Sequence, residues 1–321
     1  LGSLQATTMA ISRIDAVCSL AEVSQANNYV RPEMSNDGAL SISDGRHPVI
    51  EVLREGKYIP NSLQLDNKQR QLMILTGPNM GGKSTYMRQT ALICVMAQAG
   101  CFVPASSARL GMVDRVFTRV GAHDDLVHGH STFMVEMLEL ANILRNATTD
   151  SLVLLDEIGR GTSTFDGLAL AWAVSEQLHA EKGVKTLFAT HYHQLTDVAK
   201  ILDRSVNCHM QAKEDGHELT LLHRVAEGPT DASFGIHVAK MAGVPEEVLA
   251  RARKVLENLE QGTTIEVSKT GPVQSVFSAN FGARSEVKEN PVINEIKKMD
   301  LMNLTPLQAL EKLHDIQQKL L

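Results

Sequence analysis

The residues that first suggest chemistry form a glycine-rich run early in the chain. The run reads Gly77-Pro78-Asn79-Met80-Gly81-Gly82-Lys83-Ser84-Thr85. It satisfies the phosphate-binding loop pattern, in which glycines let backbone N–H groups turn toward phosphate oxygens. Lys83 would neutralise the β and γ oxygens of a nucleotide, and the Ser84 hydroxyl would coordinate Mg²⁺. A chance glycine-rich turn is the alternative, but a predicted strand precedes the run and a predicted helix follows it.

Two adjacent carboxylates follow a second apolar run, residues 152–155. Asp156 would hold Mg²⁺ directly or through water, because phosphate-binding loop proteins place a carboxylate at such a strand end. Glu157 would point to the other side of the strand end and activate a water as general base. By itself the pattern also fits a strand that meets solvent. The upstream lysine, Lys83, favours the functional interpretation.

Three further polar segments have structural explanations that compete with functional ones. The loop 159–167 is polar, rich in glycine and directly follows the carboxylates, although a plain surface loop is the alternative. His191 ends another predicted strand, so it would lie at the same sheet edge and hydrogen-bond a γ-phosphate. For His193 we expect a structural role. Ser131 opens a predicted helix, and from the residues alone an ordinary N-cap is the simplest interpretation.

The elements that must position these residues can be predicted from hydrophobic periodicity. Three short apolar runs are predicted to be buried strands: 72–76, 152–155 and 186–189. Two runs with helical spacing lie between them: 86–98 and 168–178. This alternation predicts an α/β fold with a mainly parallel sheet flanked by helices. The carboxyl ends of the strands would then bring the polar residues to one edge.

The rest of the chain divides by composition and pattern. We expect the end of a helix over 1–28, an α/β unit over 29–227 and a helix-turn-helix over 228–261. Residues 262–292 are rich in Thr, Ser, Lys, Glu and Gly and are predicted to be a flexible linker. A small helical segment follows over 293–321, with an apolar stripe that a short helix cannot bury without a partner.

Composition limits the classes of protein that remain. Apolar residues make up 43% of the 321 residues, an ordinary globular balance. The net charge of −6 gives no sign of a surface built to neutralise nucleic-acid phosphates, although it does not exclude such contact. The cysteines form no Cys-x-x-Cys pair and favour a reducing cytoplasm. No apolar run is long enough to cross a membrane. Because a helical pattern runs almost from Leu1, we expect the C-terminal part of a longer protein.

Several motifs together resemble the ATPase region of the MutS family of DNA mismatch repair proteins, whose nucleotide-binding fold belongs with the ABC ATPases. The matching segments are residues 45–51, 76–85, 117–122, 131–137, 156–164, 190–192 and 304–310. The resemblance implies a P-loop NTPase of ABC-ATPase type over 29–227, after the end of a lever helix. It also implies a Mg²⁺-dependent ATPase with ATP as its nucleotide.

The resemblance also implies roles for individual residues. Ser131 would reach the γ-phosphate of ATP held by the opposite protomer, so that each site is composite and hydrolysis needs a homodimer. Asn79 would contact phosphate or the attacking water. Tyr58 would stack on the adenine with His223 on its other side, and Ile59 would offer backbone groups to the adenine edge.

Partners follow from the same resemblance. The family's mismatch-reading, connector and clamp domains precede this region, so mismatched duplex DNA would be bound by domains absent from this chain. A MutL-type repair protein would be a partner, and the tail would either leave the protein a dimer or join dimers into tetramers. The helix-turn-helix would serve dimerisation, since its second helix balances basic with acidic residues and would read DNA poorly. This chain alone would hydrolyse ATP weakly, in the cytoplasm or on the nucleoid of a prokaryote.

Two alternatives stay open at this point. One is a related ABC-type ATPase of transport or double-strand-break repair, but the Leu-Ser-Gly-Gly signature of those proteins is missing and residues 131–134 stand in its place. The other is a MutS-related, nucleotide-gated dimerisation scaffold that acts outside mismatch repair.

Overall fold

The computed structural model describes residues 1–54, 56–121, 131–215, 218–230, 234–260 and 312. The chain divides after Ala242 into two units, and each is described by itself. The helices are α1 (Gly2–Ala26), α2 (Ile50–Leu53), α3 (Lys83–Gln98), α4 (Thr132–Asn146), α5 (Thr164–Glu176), α6 (Val198–Ile201), α7 (Gly235–Met241) and α8 (Glu246–Glu260). The strands are β1 (Glu33–Ser35), β2 (Leu40–Gly45), β3 (Asn61–Leu65), β4 (Leu72–Thr76), β5 (Ser107–Gly111), β6 (Val116–Arg119), β7 (Leu152–Asp156), β8 (Lys185–Ala189), β9 (Ser205–Asp215) and β10 (Glu218–Glu227).

The larger sheet has six strands in the order β10-β9-β4-β8-β7-β6. All neighbouring pairs from β9 to β6 are parallel, and only β10 pairs antiparallel to β9. The three strands predicted from sequence are β4, β7 and β8, which lie side by side. The α/β class and the mainly parallel sheet are therefore confirmed.

Alternate residues of the parallel strands pack on opposite faces of this sheet, as the pleat requires. In β7, Leu152 and Leu154 belong to a core that also contains Met87 and Ile93 of α3. Their neighbours Val153 and Leu155 belong to a second core, with residues of α4 and α5. Burial on both faces explains why β4 and β7 are nearly continuous apolar runs.

A second, smaller sheet was not predicted. It has four strands in the order β1-β5-β2-β3, and it shares a hydrophobic core with α3 and the larger sheet. Buried and exposed residues alternate along β3, only two of its five residues are apolar, and it lacks the continuous run that marks β4. The antiparallel pair of β9 and β10 escaped prediction as well.

The predicted helices are present with adjusted bounds. The helix expected over 86–98 is α3 and begins at Lys83, at the end of the glycine-rich loop. The helix expected over 168–178 begins at Thr164 as α5 and continues as a π-helix over Gln177–Lys182, which ends at Gly183 in a left-handed conformation (φ +61°). Because α5 begins so early, the prediction of a loop over 159–167 is wrong in its second half.

The two ends of the chain differ in how far the structure describes them. The helix expected over 1–28 is α1, and none of its residues is buried. The two helices expected within 228–261 are α7 and α8, but their arrangement stays a prediction because they fall in different units. The expected linker over 262–292 lies outside the described residues, as does the tail over 293–321 except residue 312. Over the described ranges, every helix is too short or too polar to pass through a bilayer.

Candidate active site

The glycine-rich loop, residues 77–85, connects β4 to α3. Gly77 has φ +124° and Gly82 has φ +104°, and Met80 also adopts a left-handed conformation. A Cβ atom at Gly77 would lie 3.0 Å from the Cβ of Met210, so the close approach of β9 requires glycine there. Gly82 is the N-cap residue of α3, and the N-terminus of this helix therefore opens toward the loop. Such a helix end attracts anions.

Lys83 folds back over this loop. Its Nζ donates hydrogen bonds to the carbonyl oxygens of Gly77 at 2.8 Å and Pro78 at 3.2 Å. The residue is only 5% exposed. Burial lowers the pKa of Lys83, although the charges of Glu157 and Asp156 raise it. The ammonium group is thus held against the glycine-rich loop, where the charges of both carboxylates act on it.

Ser84 and Asp156 meet across the junction of α3 and β7. The Ser84 hydroxyl donates to Asp156 Oδ2 at 2.5 Å. The other carboxylate oxygen, Oδ1, is buried and has no hydrogen-bond partner among the described residues. Burial raises the pKa of Asp156, while the Ser84 hydrogen bond lowers it. A hydroxyl next to an unpartnered carboxylate oxygen is an oxygen donor set that fits Mg²⁺.

Glu157 lies directly beyond the end of β7 in a left-handed conformation (φ +59°). Its backbone N–H donates to the carbonyl oxygen of Ala189 at 2.9 Å, which ties it to the end of β8. Its carboxylate pairs with His191 Nε2 and, at 2.5 Å, with a guanidinium nitrogen of Arg160. Burial raises the pKa of Glu157, but His191, Arg160 and Lys83 together bring it below its ordinary value. The carboxylate is therefore ionised at neutral pH.

The turn after Glu157 is packed against three elements. A Cβ atom at Gly159 would lie 2.6 Å from the Cα of Gly167 in α5. The backbone N–H of Gly159 donates to Glu136 Oε1 of α4 at 2.5 Å. Its carbonyl oxygen accepts a hydrogen bond from the Tyr192 hydroxyl at 3.0 Å. The first half of the loop expected over 159–167 is thus a tightly held turn, which disfavours the alternative of a plain surface loop.

A cleft on one side of the glycine-rich loop brings together Tyr58, Ile59 and His223 with Met80 and Gly82. The Tyr58 hydroxyl donates to Gln89 Oε1 at 3.0 Å, and burial raises the pKa of Tyr58. His223 Nδ1 lies 3.1 Å from the carbonyl oxygen of Gly81. The three residues expected at the adenine therefore share one cleft with the loop.

A second cleft lies on the other side of the loop. It is lined by Asn79, by His191 and His193, and by Phe234 and neighbouring residues of α7. His193 Nδ1 lies 3.0 Å from the carbonyl oxygen of Thr230, a contact that fits the structural role expected for it. Asn79 and His191 thus face one space, next to Glu157.

Ser131 begins α4. Its side-chain oxygen accepts a hydrogen bond from the backbone N–H of Met134 at 3.2 Å, so the predicted N-cap is confirmed. The side chain is exposed. Its role at a nucleotide held by another protomer stays a prediction.

Comparison with known proteins decides the family. Residues 73–260 match the family model described as MutS domain V. This chain belongs to the MutS family. The matched range contains the glycine-rich loop, Ser131, both carboxylates, His191 and His223, whereas Tyr58 and Ile59 precede it.

Curated relatives support the same assignment for this MutS chain. DNA mismatch repair protein MutS from Methanosarcina mazei is 50% identical over 99% of the chain, which covers 37% of that relative. Its counterpart from Methanococcoides burtonii is 50% identical over 98% of the chain, again 37% of the relative. The protein of the same name from Acetivibrio thermocellus is 47% identical over 99% of the chain. The chain thus spans little more than a third of the length of these relatives.

Two site residues escaped the sequence analysis. Arg160 and Glu136 both lie in motifs that match the family, but neither motif predicts a role for them. The signal for Glu136 was present, because it is a carboxylate among the apolar residues Phe133, Met134, Val135 and Met137 at the start of a helix. Such a residue is buried only when something pairs with it.

Proposed function

We propose that this MutS-family chain binds ATP with Mg²⁺ and hydrolyses it to ADP and phosphate. The proposal rests on the contact of Ser84 with Asp156, whose second carboxylate oxygen is buried without a partner among the described residues. Lys83 is the first residue of α3, at a helix N-terminus. An oxygen pair that fits a cation, an anion-binding helix end and a lysine at one sheet edge are the elements of a nucleotide site.

Ser84 and Asp156 would hold the metal, and Mg²⁺ would neutralise charge on the β- and γ-phosphate oxygens. Lys83 Nζ would exchange its contacts with the Gly77 and Pro78 carbonyl oxygens for phosphate oxygens. The remaining loop residues would present backbone N–H groups or side chains to the phosphates. They are Asn79, Met80, Gly81, Gly82 and Thr85. The base would lie in the cleft of Tyr58, Ile59 and His223.

Glu157 would act as the general base. A water oxygen would attack the γ-phosphorus while the bond to the bridging oxygen breaks, and ADP would leave with that electron pair. The proton of the water would pass to the Glu157 carboxylate, which His191 orients through its Nε2 contact. His191 also faces the cleft beside Asn79, where it would hydrogen-bond the γ-phosphate.

In the assembled protein, Ser131 of one copy would complete the site of the other, so the active unit would be a homodimer. The helices α7 and α8 would supply the dimerisation element, and the tail over 293–321 would join dimers into tetramers. The relatives' name, DNA mismatch repair protein MutS, favours a role in mismatch repair over a scaffold outside it.

The larger cycle is part of the same proposal. ATP-driven switching of the dimer would couple mismatch recognition, by domains outside this chain, to formation of a sliding clamp and to signalling through a MutL-type partner. Mismatched duplex DNA would be bound by those other domains. The site of action would be the cytoplasm, on the nucleoid of a prokaryote.

Replacing Glu157 with Gln tests the reaction. Gln is nearly isosteric with Glu but cannot accept the proton of the water. E157Q should therefore lower kcat at least about 100-fold while the affinity for ATP is unchanged. Turnover is measured by phosphate release, and binding by titration with ATP and Mg²⁺. The surface variant D197N, an exposed partner of Lys200, serves as the control. An E157Q protein with normal turnover would reject the assignment.

A further inference from the structure

Glu136 of α4 is a buried carboxylate that the proposed reaction does not use. It is 6% exposed. Its Oε1 accepts the hydrogen bond from the Gly159 N–H, and its Oε2 lies 3.6 Å from a guanidinium nitrogen of Arg119. A buried charge is tolerated only when it is paired and hydrogen-bonded. Oε1 has a hydrogen-bond donor and Oε2 has a cation as an ion-pair partner, so the side chain is held at both oxygens.

Helix α4 also packs against the turn after Glu157 at a second point. A Cβ atom at Gly161 would lie 2.7 Å from the Cβ of Phe133, so the first turn of α4 packs directly on the backbone at that glycine. On the other side, the Tyr192 hydroxyl binds the Gly159 carbonyl oxygen. The turn that follows Glu157 is therefore clamped between α4 and the segment after β8.

These contacts hold a backbone segment in which two residues have left-handed φ angles. Glu157 and Gly159 both have positive φ angles, +59° and +88°. A non-glycine residue stays in the left-handed region only where its surroundings hold it. The hydrogen bond from Gly159 to Glu136 is made two residues after Glu157. Losing it would free the backbone that aims the proposed general base.

We propose that Glu136 is a positioning residue that ties α4, the helix capped by Ser131, to the backbone of Glu157. This rests on the proposed function, in which Ser131 serves the partner's nucleotide and Glu157 serves its own. The hydrogen bond from the Gly159 N–H to Glu136 Oε1 then holds Glu157 in the geometry that the proposed base needs.

The test compares three variants of the chain in steady-state turnover with ATP and Mg²⁺. E136A should lower kcat about 10- to 100-fold, the scale of a misplaced catalytic group, with ATP affinity within about twofold of wild type. E136Q should recover most of the loss, because its amide oxygen still accepts from the Gly159 N–H. E139Q is the matched control, since Glu139 also lies near Arg119, at 3.2 Å, but is 49% exposed.

The fold of E136A is checked by thermal unfolding, and Arg119 keeps Glu139 as a neighbour in that variant. If E136A does not fold, E136D replaces it, because the shorter side chain keeps the charge but withdraws from Gly159. Unchanged kcat in the folded variant overturns the proposal, as does a parallel loss of ATP affinity. E157Q with normal turnover would reject the proposed function instead, so the two failures are distinguishable.

A mixing experiment separates positioning of Glu157 from positioning of Ser131. In a mixed dimer of E136A and S131A chains, the S131A chain keeps its own Glu157 turn intact and receives Ser131 from its partner. If Glu136 acts on Glu157 of its own chain, mixing equal amounts should restore roughly one quarter of wild-type turnover, because half of the dimers are mixed and one of their two sites works. No recovery would mean that E136A misplaces Ser131, and would overturn the proposal.

Discussion

Asp156 and Glu157 are neighbours in sequence, yet their surroundings shift their pKa values in opposite directions. Burial raises the pKa of Asp156, whose hydrogen-bond partner Ser84 carries no charge. The hydrogen bond with His191 and the charges of Arg160 and Lys83 outweigh the burial of Glu157 and lower its pKa. Two carboxylates with different environments can take different roles. The difference is consistent with the proposed roles of Asp156 as a ligand of the cation and of Glu157 as the acceptor of a proton.

This contrast predicts an effect of Asp156→Asn on stability. Because burial disfavours the charged form, ionised Asp156 destabilises the folded state above its unfolded pKa, and Asn removes that charge. Without metal, at neutral pH, D156N should unfold at a higher temperature, by about 2–4 °C if the gain is about 1 kcal/mol. Differential scanning calorimetry in chelator measures the shift, with D197N as the surface control.

The second half of this prediction concerns the ligand. ATP with Mg²⁺ should raise the Tm of the wild-type chain, because a ligand that binds only the folded state stabilises it. The same addition should raise the Tm of D156N much less. A D156N protein that is less stable in chelator than wild type would contradict the destabilising effect of burying the Asp156 charge.

The pH dependence of Glu157 has the opposite sign. Its pKa in the folded state is lowered, so its contribution to stability is present above its unfolded pKa and is lost as pH falls through the folded pKa. We therefore expect the free energy of unfolding of E157Q to fall less steeply at acidic pH than that of the wild-type chain. Urea titrations at several values between about pH 3 and 7 measure this free energy, and the range is chosen because unfolded carboxyl groups titrate near pH 4. Parallel curves for the two proteins would contradict the pairing with His191 and Arg160.

At the scale of elements, the sequence was most informative where burial is complete. The strands β4 and β7 are apolar except for their last residues, and β8 is apolar over its last three. Because the three strands are parallel neighbours, the predicted loop, the carboxylates and His191 follow their carboxyl ends. The smaller sheet was missed because buried and exposed residues alternate along strands such as β2 and β3, which leaves no continuous apolar run. Contacts such as that of Glu136 with Gly159 depend on how α4 docks on the turn, which no local pattern encodes.

The close packing of the first turn of α5 gives a prediction about glycine. Gly167 has no room for a side chain, because a Cβ atom there would overlap the Tyr192 hydroxyl and the Gly159 carbonyl oxygen. G167A should therefore destabilise the chain by about 1–3 kcal/mol through overpacking. G235A, in the first turn of α7, is the matched control, since a Cβ there meets nothing within 4 Å. It should be neutral or stabilising by up to about 1 kcal/mol.

Urea denaturation of the two glycine variants measures both effects. G167A should also lower kcat, because pushing α5 away from Gly159 disturbs the turn after Glu157. Equal stability of G167A and G235A would contradict the tight packing of this turn.

At the scale of the whole molecule, the acidic net charge of −6 and the proposed link to DNA are compatible. The chain covers 37% of its first relatives, and the proposal assigns DNA contact to the remainder. A nucleotide needs only the lysine, the helix end and the proposed metal. This part of the protein therefore requires no excess of basic residues, whatever the complete protein binds.

The composite site is the property of the assembly that a single chain cannot display. If Ser131 serves the partner's nucleotide, a dimer of S131A and E157Q chains contains one complete site, in which the S131A chain supplies Glu157 and its partner supplies Ser131. Each variant alone has no complete site. Mixing the two should therefore raise turnover well above the sum of the separate proteins, and dilution should lower turnover per chain as dimers dissociate. Turnover equal to that sum, at concentrations where sedimentation detects mixed dimers, would mean that Ser131 acts within its own chain or not at all.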